Sequence, residues 1–300
     1  MKNGLGNHHH EKHYNGLKNI KAAFFLNLIF AVFEIIGGLL TNSIAILSDA
    51  LHDFGDSVSL GIAWYFEKYS EKEPDKAFTF GYSRFSLLGA LINSLILVIG
   101  SIFVISEAIP RIFNPKEIYP EGMLIVALIG IVINGIAVIR LQKGNSLNEK
   151  VVSWHLFEDV LGWGVILFVS IILIFIDVPV IDPVLSVIIT LYVMFNAIKN
   201  LKEVMHVFLE GVPRDCSVEC IEKEIIEKTG AKDVHHTHIW SLEGQKNMLS
   251  THIVVSDKID CNDIITIKQK VRDLMKEKGI DHVTIETEFE SENCNNKGCR

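Results

Sequence analysis

Six apolar stretches dominate the first two thirds of the chain, and each is long enough to cross a bilayer as a helix. A hydrocarbon core about 30 Å thick needs about 20 residues at the helical rise of roughly 1.5 Å per residue. The stretches cover residues 20–40, 44–66, 85–109, 121–141, 150–176 and 180–200. Very short links follow the first and the fifth stretch, so these two links predict antiparallel helical hairpins.

The last third of the chain is hydrophilic, and its periodicity predicts a small mixed domain. Apolar residues recur with helical spacing over 217–229 and 262–278, and they alternate with polar residues over 234–242, 248–256 and 282–289. The predicted order is αββαβ, with two helices covering one face of a three-stranded sheet.

These patterns divide the chain into four parts. Residues 1–17 form a polar tail that contains histidines, and residues 18–205 form a domain of six transmembrane helices. Residues 206–290 form the α+β domain, and residues 291–300 form a flexible end that is rich in Asn and Lys. The histidines of the tail (His8, His9, His10 and His13) are interpreted either as a collector of cations or as part of a solvated segment.

Composition agrees with a membrane protein that carries a soluble part. The hydrophobic share is 49%, the charged share is 21%, and the net charge is −8. The α+β domain contains more acidic than basic residues, which argues against nucleic acid as a partner. All five cysteines follow residue 215, and their odd number and irregular spacing indicate reduced thiols in a cytosolic compartment.

Lysine and arginine are distributed unequally between the two sides of the predicted membrane domain. The N-terminal segment and the links after the second, fourth and sixth stretches carry nearly all of them, whereas the opposite side has only Arg111 and Lys116. Because basic residues accumulate on the cytoplasmic side, both termini are predicted to be cytoplasmic. An even number of spans agrees with this topology.

Two histidine–aspartate pairs lie inside the apolar stretches, and they are the strongest functional signal. His52 with Asp56 and His155 with Asp159 each have i, i+4 spacing, which puts both side chains on one helix face. Ionisable groups inside a bilayer usually face the bundle interior and mark ion pathways. Two imidazoles and two carboxylates make a tetrahedral set that suits Zn²⁺ and balances its charge. The four residues are therefore predicted to form the transport site of a divalent metal cation.

Other polar residues near these pairs leave the ligand set open. Asp49, Asp53 and Glu158 are competing ligands or partners. The capping-box pattern from Ser146 to Glu149 predicts an early start of the fifth helix, which would bring His155 to the depth of His52. Weaker candidates for supporting hydrogen bonds or for bonds between helices are Asn27, Glu34, Asn93 and Asn134.

At these residues the chain resembles the cation diffusion facilitator family, particularly its zinc-transporting branch. The resemblance covers nearly the whole chain, and its most specific segments are Thr41 to Asp53, Thr79 to Arg84, Ala90 to Asn93, His155 with Asp159, and His235 to Leu242. It implies a ferredoxin-like fold for the α+β domain, a homodimer, and proton-coupled export from the cytosol by alternating access. It also implies a multi-pass protein of a bacterial inner or plasma membrane, with His52, Asp56, His155 and Asp159 as the transport site.

The resemblance also implies a second metal site in the cytoplasmic domain. His235 and His252 match positions that bind zinc in the family, and Glu286 and Glu288 match the remaining ligand positions, with His238 as a further candidate. Such a site would hold Zn²⁺ as a regulatory ion. The alternative is a polar sheet face that satisfies its own hydrogen bonds.

The predicted function is export of a divalent cation, Zn²⁺ first, in exchange for protons by a secondary active transporter. Export of cobalt, cadmium or iron by the same mechanism is an alternative within this class. A membrane metal sensor and a membrane metalloenzyme are alternatives of other classes, although the sequence has no hydrolase motif such as His-Glu-x-x-His. The roles of the N-terminal histidines and of Cys294 and Cys299 stay open.

Overall fold

The computed structural model describes the backbone of residues 7–70, 74–141 and 147–292. Side chains are described in these ranges except at residues 7–23, 60, 63–64, 66–70, 137, 140–141, 147–156 and 158. The chain divides into two compact units, which are Met1–Lys68 with Gly89–Leu201, and Tyr69–Leu88 with Lys202–Arg300.

Six long helices build the first unit and confirm the predicted six-helix order. They are α1 Asn7–Thr41, α2 Ile44–Ser70, α3 Phe85–Phe113, α4 Pro120–Leu141, α5 Leu147–Phe175 and α6 Ile181–Phe208. α1 begins well before the predicted apolar stretch, because its polar first turns contain no proline that would end the helix. α6 likewise continues beyond the predicted boundary at residue 205. The capping pattern predicted before α5 lies outside the described residues at Ser146.

Several of these helices have the length and composition of membrane spans. Within the described residues, the long apolar segments are Phe24–Thr41, Phe85–Phe113 and Ile181–Phe208. Shorter apolar segments occupy α4 and α5, and adjoin residues whose side chains are not described. α2 belongs to neither group because three aspartates interrupt its apolar sequence.

A tryptophan of α5 is the centre of the packing in the first unit. Trp163 is fully buried, and its indole lies so close to Gly130 of α4 that a Cβ atom there would collide with the ring. Phe30 of α1 meets the same indole edge to face, with 6.1 Å between the ring centroids. Small residues permit such close helix packing in membranes. The contact fixes α5, which carries one predicted metal pair, against α4 and α1.

The second unit contains the α+β domain in the predicted αββαβ order. Its elements are α7 Val218–Thr229, β1 Asp233–Ser241, β2 Asn247–Val255, α8 Cys261–Glu277 and β3 Ile280–Phe289. β2 is the central strand, antiparallel to β1 and parallel to β3. The parallel pairing follows from α8, since two parallel neighbouring strands need a long crossover connection.

The core of this domain lies between the two helices and one sheet face. Ile221 and Ile225 of α7 pack with Leu249 and Ile253 of β2 and with Val271 of α8. Caps delimit both helices. Ser217 accepts a hydrogen bond from the Cys220 amide, and Asp260 accepts one from the Cys261 amide. The opposite sheet face is left for polar side chains.

Candidate metal sites

His52 and Asp56 lie on one face of α2, as their spacing predicts. The distance between His52 Nε2 and Asp56 Oδ2 is 3.7 Å. Both side chains are partly exposed, at 30% and 24%, so this face of α2 is not closed off by packing. Gly55 helps to bring α3 close, since a Cβ atom there would lie 2.5 Å from Leu97.

A cavity of about 620 Å³ is lined by residues from both helices that carry the predicted ligands. His52 of α2 and Asp159 of α5 both line it, and Asp49 lines it with them. The remaining wall is mostly apolar and comes largely from α6. Asp56 follows His52 on α2 but does not line this cavity, and the side chain of His155 lies outside the described residues. Three of the four predicted ligands can therefore be located, and two of them share one cavity with Asp49.

The structure separates the neighbouring acids that the sequence left as equal candidates. Asp49 lines the cavity, and its Oδ1 atom lies 3.8 Å from the position of a Cβ atom at Gly162 of α5. Asp53 is buried instead, and lies beside the fully buried Glu34 of α1. The side chain of Glu158 lies outside the described residues. Asp49 is thus the neighbour best placed to join the predicted ligands.

The weaker asparagine candidates have different surroundings. Asn27 Nδ2 donates to the backbone oxygen of Asp53 at 3.1 Å, which links α1 to α2. Asn134 is buried, but its Nδ2 atom donates no hydrogen bond to any described residue. The predicted bond from Asn134 between helices is therefore not observed within the described part of the chain.

Two asparagines of α6 were missed in the sequence. Asn196 and Asn200 line the cavity near the end of α6 that leads into the α+β domain, and Asn200 Nδ2 donates to Ser94 Oγ at 3.1 Å. Their i, i+4 spacing inside an apolar helix is the same signal that identified the histidine–aspartate pairs. A search for polar residues at i, i+4 spacing in every apolar stretch would have identified these two asparagines.

The second predicted site lies across the sheet of the α+β domain. His235 of β1 stands opposite His252 of β2, which stands opposite Glu286 of β3. This row lies on the face away from α7 and α8, because His252 alternates along β2 with the core residue Ile253. Strand register thus assembles side chains from three strands.

Glu288 connects the two histidines of this row. Its carboxylate lies 3.2 Å from His235 Nε2 and 2.5 Å from His252 Nδ1, and all three side chains are about nine-tenths buried. Glu286 lies 3.2 Å from His252 Nε2 but is 65% exposed. Among the described residues, the ligand atoms of His235, His252 and Glu288 lie within 4.8 Å of one another and form a group of the kind that holds a metal ion.

A β-bulge shapes the edge of this site. Pairing of β1 with β2 shifts between His235 and His238, and His236 inside the bulge has a φ of 51°. The bulge brings the His236 ring to 4.8 Å from the His252 ring and 4.6 Å from the His238 ring. Desolvation, followed by the nearby His238, His252 and His235, lowers the pKa of His236, which favours neutral imidazole. His238 is exposed and lies outside the three-residue group.

The three-residue group has the chemistry of a zinc site. Two imidazoles and a carboxylate match the donors that Zn²⁺ prefers, and zinc usually takes a fourth ligand. Neither ring nitrogen of His235 makes a well-aligned hydrogen bond, although Nε2 lies 3.2 Å from Glu288 and buried imidazoles normally are hydrogen-bonded. An ion between His235, His252 and Glu288 would give one of these nitrogens a partner. The residues present therefore fit the predicted metal.

Comparison with known families matches both parts of the chain. A family model described as the cation efflux transmembrane domain matches residues 20–209. A second, described as the cation efflux protein, cytoplasmic domain, matches residues 213–290.

Similar proteins span almost the full length of the chain. The Bacillus velezensis protein named cadmium, cobalt and zinc/H(+)-K(+) antiporter is 36% identical over 296 residues, covering 97% of this chain and 95% of the relative. The zinc transporter ZitB of Pectobacterium atrosepticum is 33% identical and covers 98% of this chain and 91% of the relative.

Among solved structures, the metal-bound C-terminal domain of the CzcD transporter from Cupriavidus metallidurans is 30% identical. It covers 24% of this chain and 99% of that domain, with a TM-score of 0.22. The two family models and the full-length relatives confirm the resemblance seen in the motifs: the chain is a membrane protein of the cation diffusion facilitator family, in its zinc-transporting branch.

Proposed function

We propose that this protein exports divalent metal cations from the cytosol, Zn²⁺ first, in exchange for protons, as a secondary active transporter. His52, Asp56, His155 and Asp159 hold the transported ion in the membrane, and Asp49 assists them. The ion is the substrate of this site and leaves it in every cycle. Cobalt and cadmium are the alternative substrates, since the Bacillus relative is named for both.

One observation carries this proposal: His52 of α2 and Asp159 of α5 line a single cavity together with Asp49. His52 and Asp159 are separated by about a hundred positions in the sequence, so it is the packing of the helices that brings them to one cavity. A cavity with imidazole and carboxylate groups inside an apolar bundle is costly unless a cation or protons compensate it.

The donor set supports zinc as the preferred substrate. Imidazole nitrogen and carboxylate oxygen suit ions of intermediate softness such as Zn²⁺, Co²⁺ and Cd²⁺. Ca²⁺ and Mg²⁺ prefer shells made of oxygen alone. Copper(I) prefers thiolates, and all five cysteines of the chain follow residue 215.

Histidine ligands supply the link to protons. A metal ion binds neutral imidazole, so an incoming ion releases any proton that His52 or His155 holds. An imidazole can take up a proton again near neutral pH once the ion has left. Exchange of a metal ion for protons therefore follows from the ligand chemistry, with carboxylates such as Asp159 balancing the charge of the ion.

Topology and assembly complete the proposal. The excess of Lys and Arg on one side of the bundle supports cytoplasmic termini in a bacterial inner or plasma membrane. The cytoplasmic domain, residues 206–290, acts in a homodimer. Its site at His235, His252 and Glu288, with Glu286 as a fourth ligand and His238 nearby, holds a regulatory Zn²⁺ that stays bound during transport.

The proposal is tested by zinc flux into proteoliposomes under an imposed pH gradient. We expect the wild-type protein to move zinc in response to the gradient, in buffers with and without K⁺. Asp159→Ala should reduce this flux by about 100-fold or more, because it removes a charged ligand of the transported ion. Replacing zinc by cadmium or cobalt in the same vesicles ranks the substrates.

Asp177 provides the matched control for this experiment. It is an exposed aspartate in the turn between α5 and α6, and Asp177→Asn should leave zinc flux unchanged. If the wild-type protein is monodisperse but moves no divalent cation under any gradient, the transporter proposal is wrong. Full flux in Asp159→Ala would instead move the transport site elsewhere.

A further inference from the structure

An aspartate of α6 caps the helix that carries His52 and Asp56. Asp182 is buried in the first turn of α6, and its carboxylate accepts three hydrogen bonds from the start of α2. Ile44 N donates to Oδ2 at 2.8 Å, Ala45 N donates to Oδ1 at 3.4 Å, and the Ser43 hydroxyl donates to Oδ1 at 2.5 Å. The donors come from a helix about 140 positions away.

The hydrogen bonds that Asp182 accepts complete the N-terminal cap of α2. The first amides of any helix lack partners inside the helix. Here Ile44 and Ala45 use Asp182, and Ile46 N donates to Ser43 Oγ at 3.2 Å. A carboxylate at this position also interacts favourably with the positive end of the helix dipole. The start of α2 is therefore held at one point along α6.

Further polar contacts extend this attachment along both helices. Ser186 Oγ donates to the backbone oxygen of Ile44 at 3.3 Å, and Ser48 Oγ lies 2.7 Å from Thr190 Oγ1. Asp182, Ser186 and Thr190 follow one another at i, i+4 spacing, so they form one stripe of α6. We call these contacts between α2 and α6 the polar seam; all of its side chains are buried.

The polar seam lies beside the cavity that His52 lines. On α2 it runs through Ile44 and Ser48, and the next residue of the same stripe is His52. On α6, Ile189 and Val193 stand before and after Thr190 in the sequence, and both line the cavity with His52. A helix rotates by about 100° per residue, so a slip of one residue in the seam would turn His52 away from the cavity.

We propose that Asp182 is a positioning residue for metal transport, which fixes the height and rotation of α2 so that His52 and Asp56 meet the ligands of α5. This inference rests on the proposed function, but it assigns Asp182 no contact with the ion. Its effect reaches the ion through the cap and the polar seam. An aspartate in the first turn of a helix usually stabilises the N-terminus of that same helix, whereas the amides that donate to Asp182 belong to α2.

Zinc and cadmium transport by Asp182 variants tests the proposal. Asp182→Ala should raise the KM for zinc by about 10-fold or more and reduce the preference for zinc over cadmium, because a displaced His52 distorts the tetrahedral shell. Asp182→Asn should give an intermediate change, since its amide oxygen still accepts from α2. Asp177→Asn, an exposed aspartate near the same end of α6, should match the wild type.

Cross-linking gives a second readout that does not depend on transport. With all five native cysteines replaced by serine, the pair Ser48→Cys and Thr190→Cys should form a disulfide when a chemical oxidant is added, because the native oxygens lie 2.7 Å apart. Adding Asp182→Ala should lower the cross-linking yield, whereas adding Asp177→Asn should not. If Asp182→Ala does not fold, Ser43→Ala and Asp182→Asn replace it in the transport and cross-linking experiments, since each removes fewer hydrogen bonds.

The two proposals fail in different ways. Unchanged zinc KM, unchanged metal preference and unchanged cross-linking in folded Asp182 variants would overturn the positioning role alone. Absence of zinc movement in the wild-type protein would overturn the proposed function. Asp182 variants that lose maximal rate but keep the wild-type KM, metal preference and cross-linking would also contradict a positioning role.

Discussion

The two candidate metal sites use similar donors but are built on different supports. In the membrane unit, His52 and Asp159 come from separate helices and face a cavity of about 620 Å³. In the cytoplasmic domain, His235, His252 and Glu288 come from hydrogen-bonded strands and already lie within 4.8 Å of one another. Backbone pairing fixes the relative positions of neighbouring strands, whereas helices in a bundle have no such ladder and are held by contacts that involve side chains.

This difference suits two different roles for a metal ion. A transport site has to bind its ion and release it, which requires ligands that can move apart and space for the ion to pass. A regulatory or structural site gains affinity from ligands that are fixed and buried before the ion arrives. His52 is 30% exposed on its side chain, whereas His252 is only 8% exposed. We therefore expect exchange at the membrane site and retention at the cytoplasmic site.

The largest expected effect comes from removing one histidine from each site. His52→Ala should lower pH-driven zinc flux by about 100-fold, because the transported ion loses a direct ligand. His252→Ala should change flux by about fivefold or less, but should remove one tightly held zinc per chain. Flux in proteoliposomes and zinc content after dialysis against a weak chelator measure the two effects. Equal loss of zinc flux in both variants would contradict the assignment of transport to the membrane site alone.

A smaller effect is expected when the membrane ligand is changed rather than removed. His52→Asp replaces a nitrogen donor with oxygen and loosens the tetrahedral fit. We expect the preference for zinc over cadmium to fall by about 10-fold, with some zinc flux retained. The corresponding change His252→Asp should leave this preference at its wild-type value. A zinc-to-cadmium flux ratio that is unchanged in His52→Asp would show that this residue does not set the selectivity.

The smallest effect concerns the strained bulge beside the cytoplasmic site. His236 has a φ of 51°, which disfavours a side chain with a Cβ atom but suits glycine. His236→Gly should therefore be more stable to unfolding than His236→Ala, by about 0.5–1 kcal/mol, although both lose the same ring contacts. Thermal unfolding of the metal-free full-length protein measures this difference. A less stable glycine variant would mean that the bulge relaxes.

Periodicity in the sequence was sufficient to predict the elements of both units. Apolar runs located the six helices, and alternation located the strands that carry His235, His252 and Glu288. The bulge at His236 could not be predicted, because a bulge depends on how β1 pairs with β2. Local sequence contains the period of a strand but not its register.

The surroundings of the proposed transport site were harder to predict for a related reason. Asp49 and Asp53 lie about one turn apart on α2, and helical spacing made both of them candidate partners of His52. What packs against α2 differs from one turn to the next: Asp49 lines the cavity, whereas Asp53 is buried beside Glu34 of α1. The cap from Asp182 likewise depends on packing between residues distant in the sequence. Helical spacing identifies a face, but neighbouring helices decide what that face meets.

Proton movement during zinc transport is the most direct test of zinc–proton exchange at the histidine–aspartate site. Wild-type protein is reconstituted in vesicles without an initial pH gradient, and a zinc gradient is then imposed while internal pH and internal zinc are recorded together. We expect protons to move opposite to zinc, and Asp159→Ala to abolish both movements. Zinc flux at the wild-type rate with no change in internal pH would contradict the exchange of zinc for protons at the histidine–aspartate site.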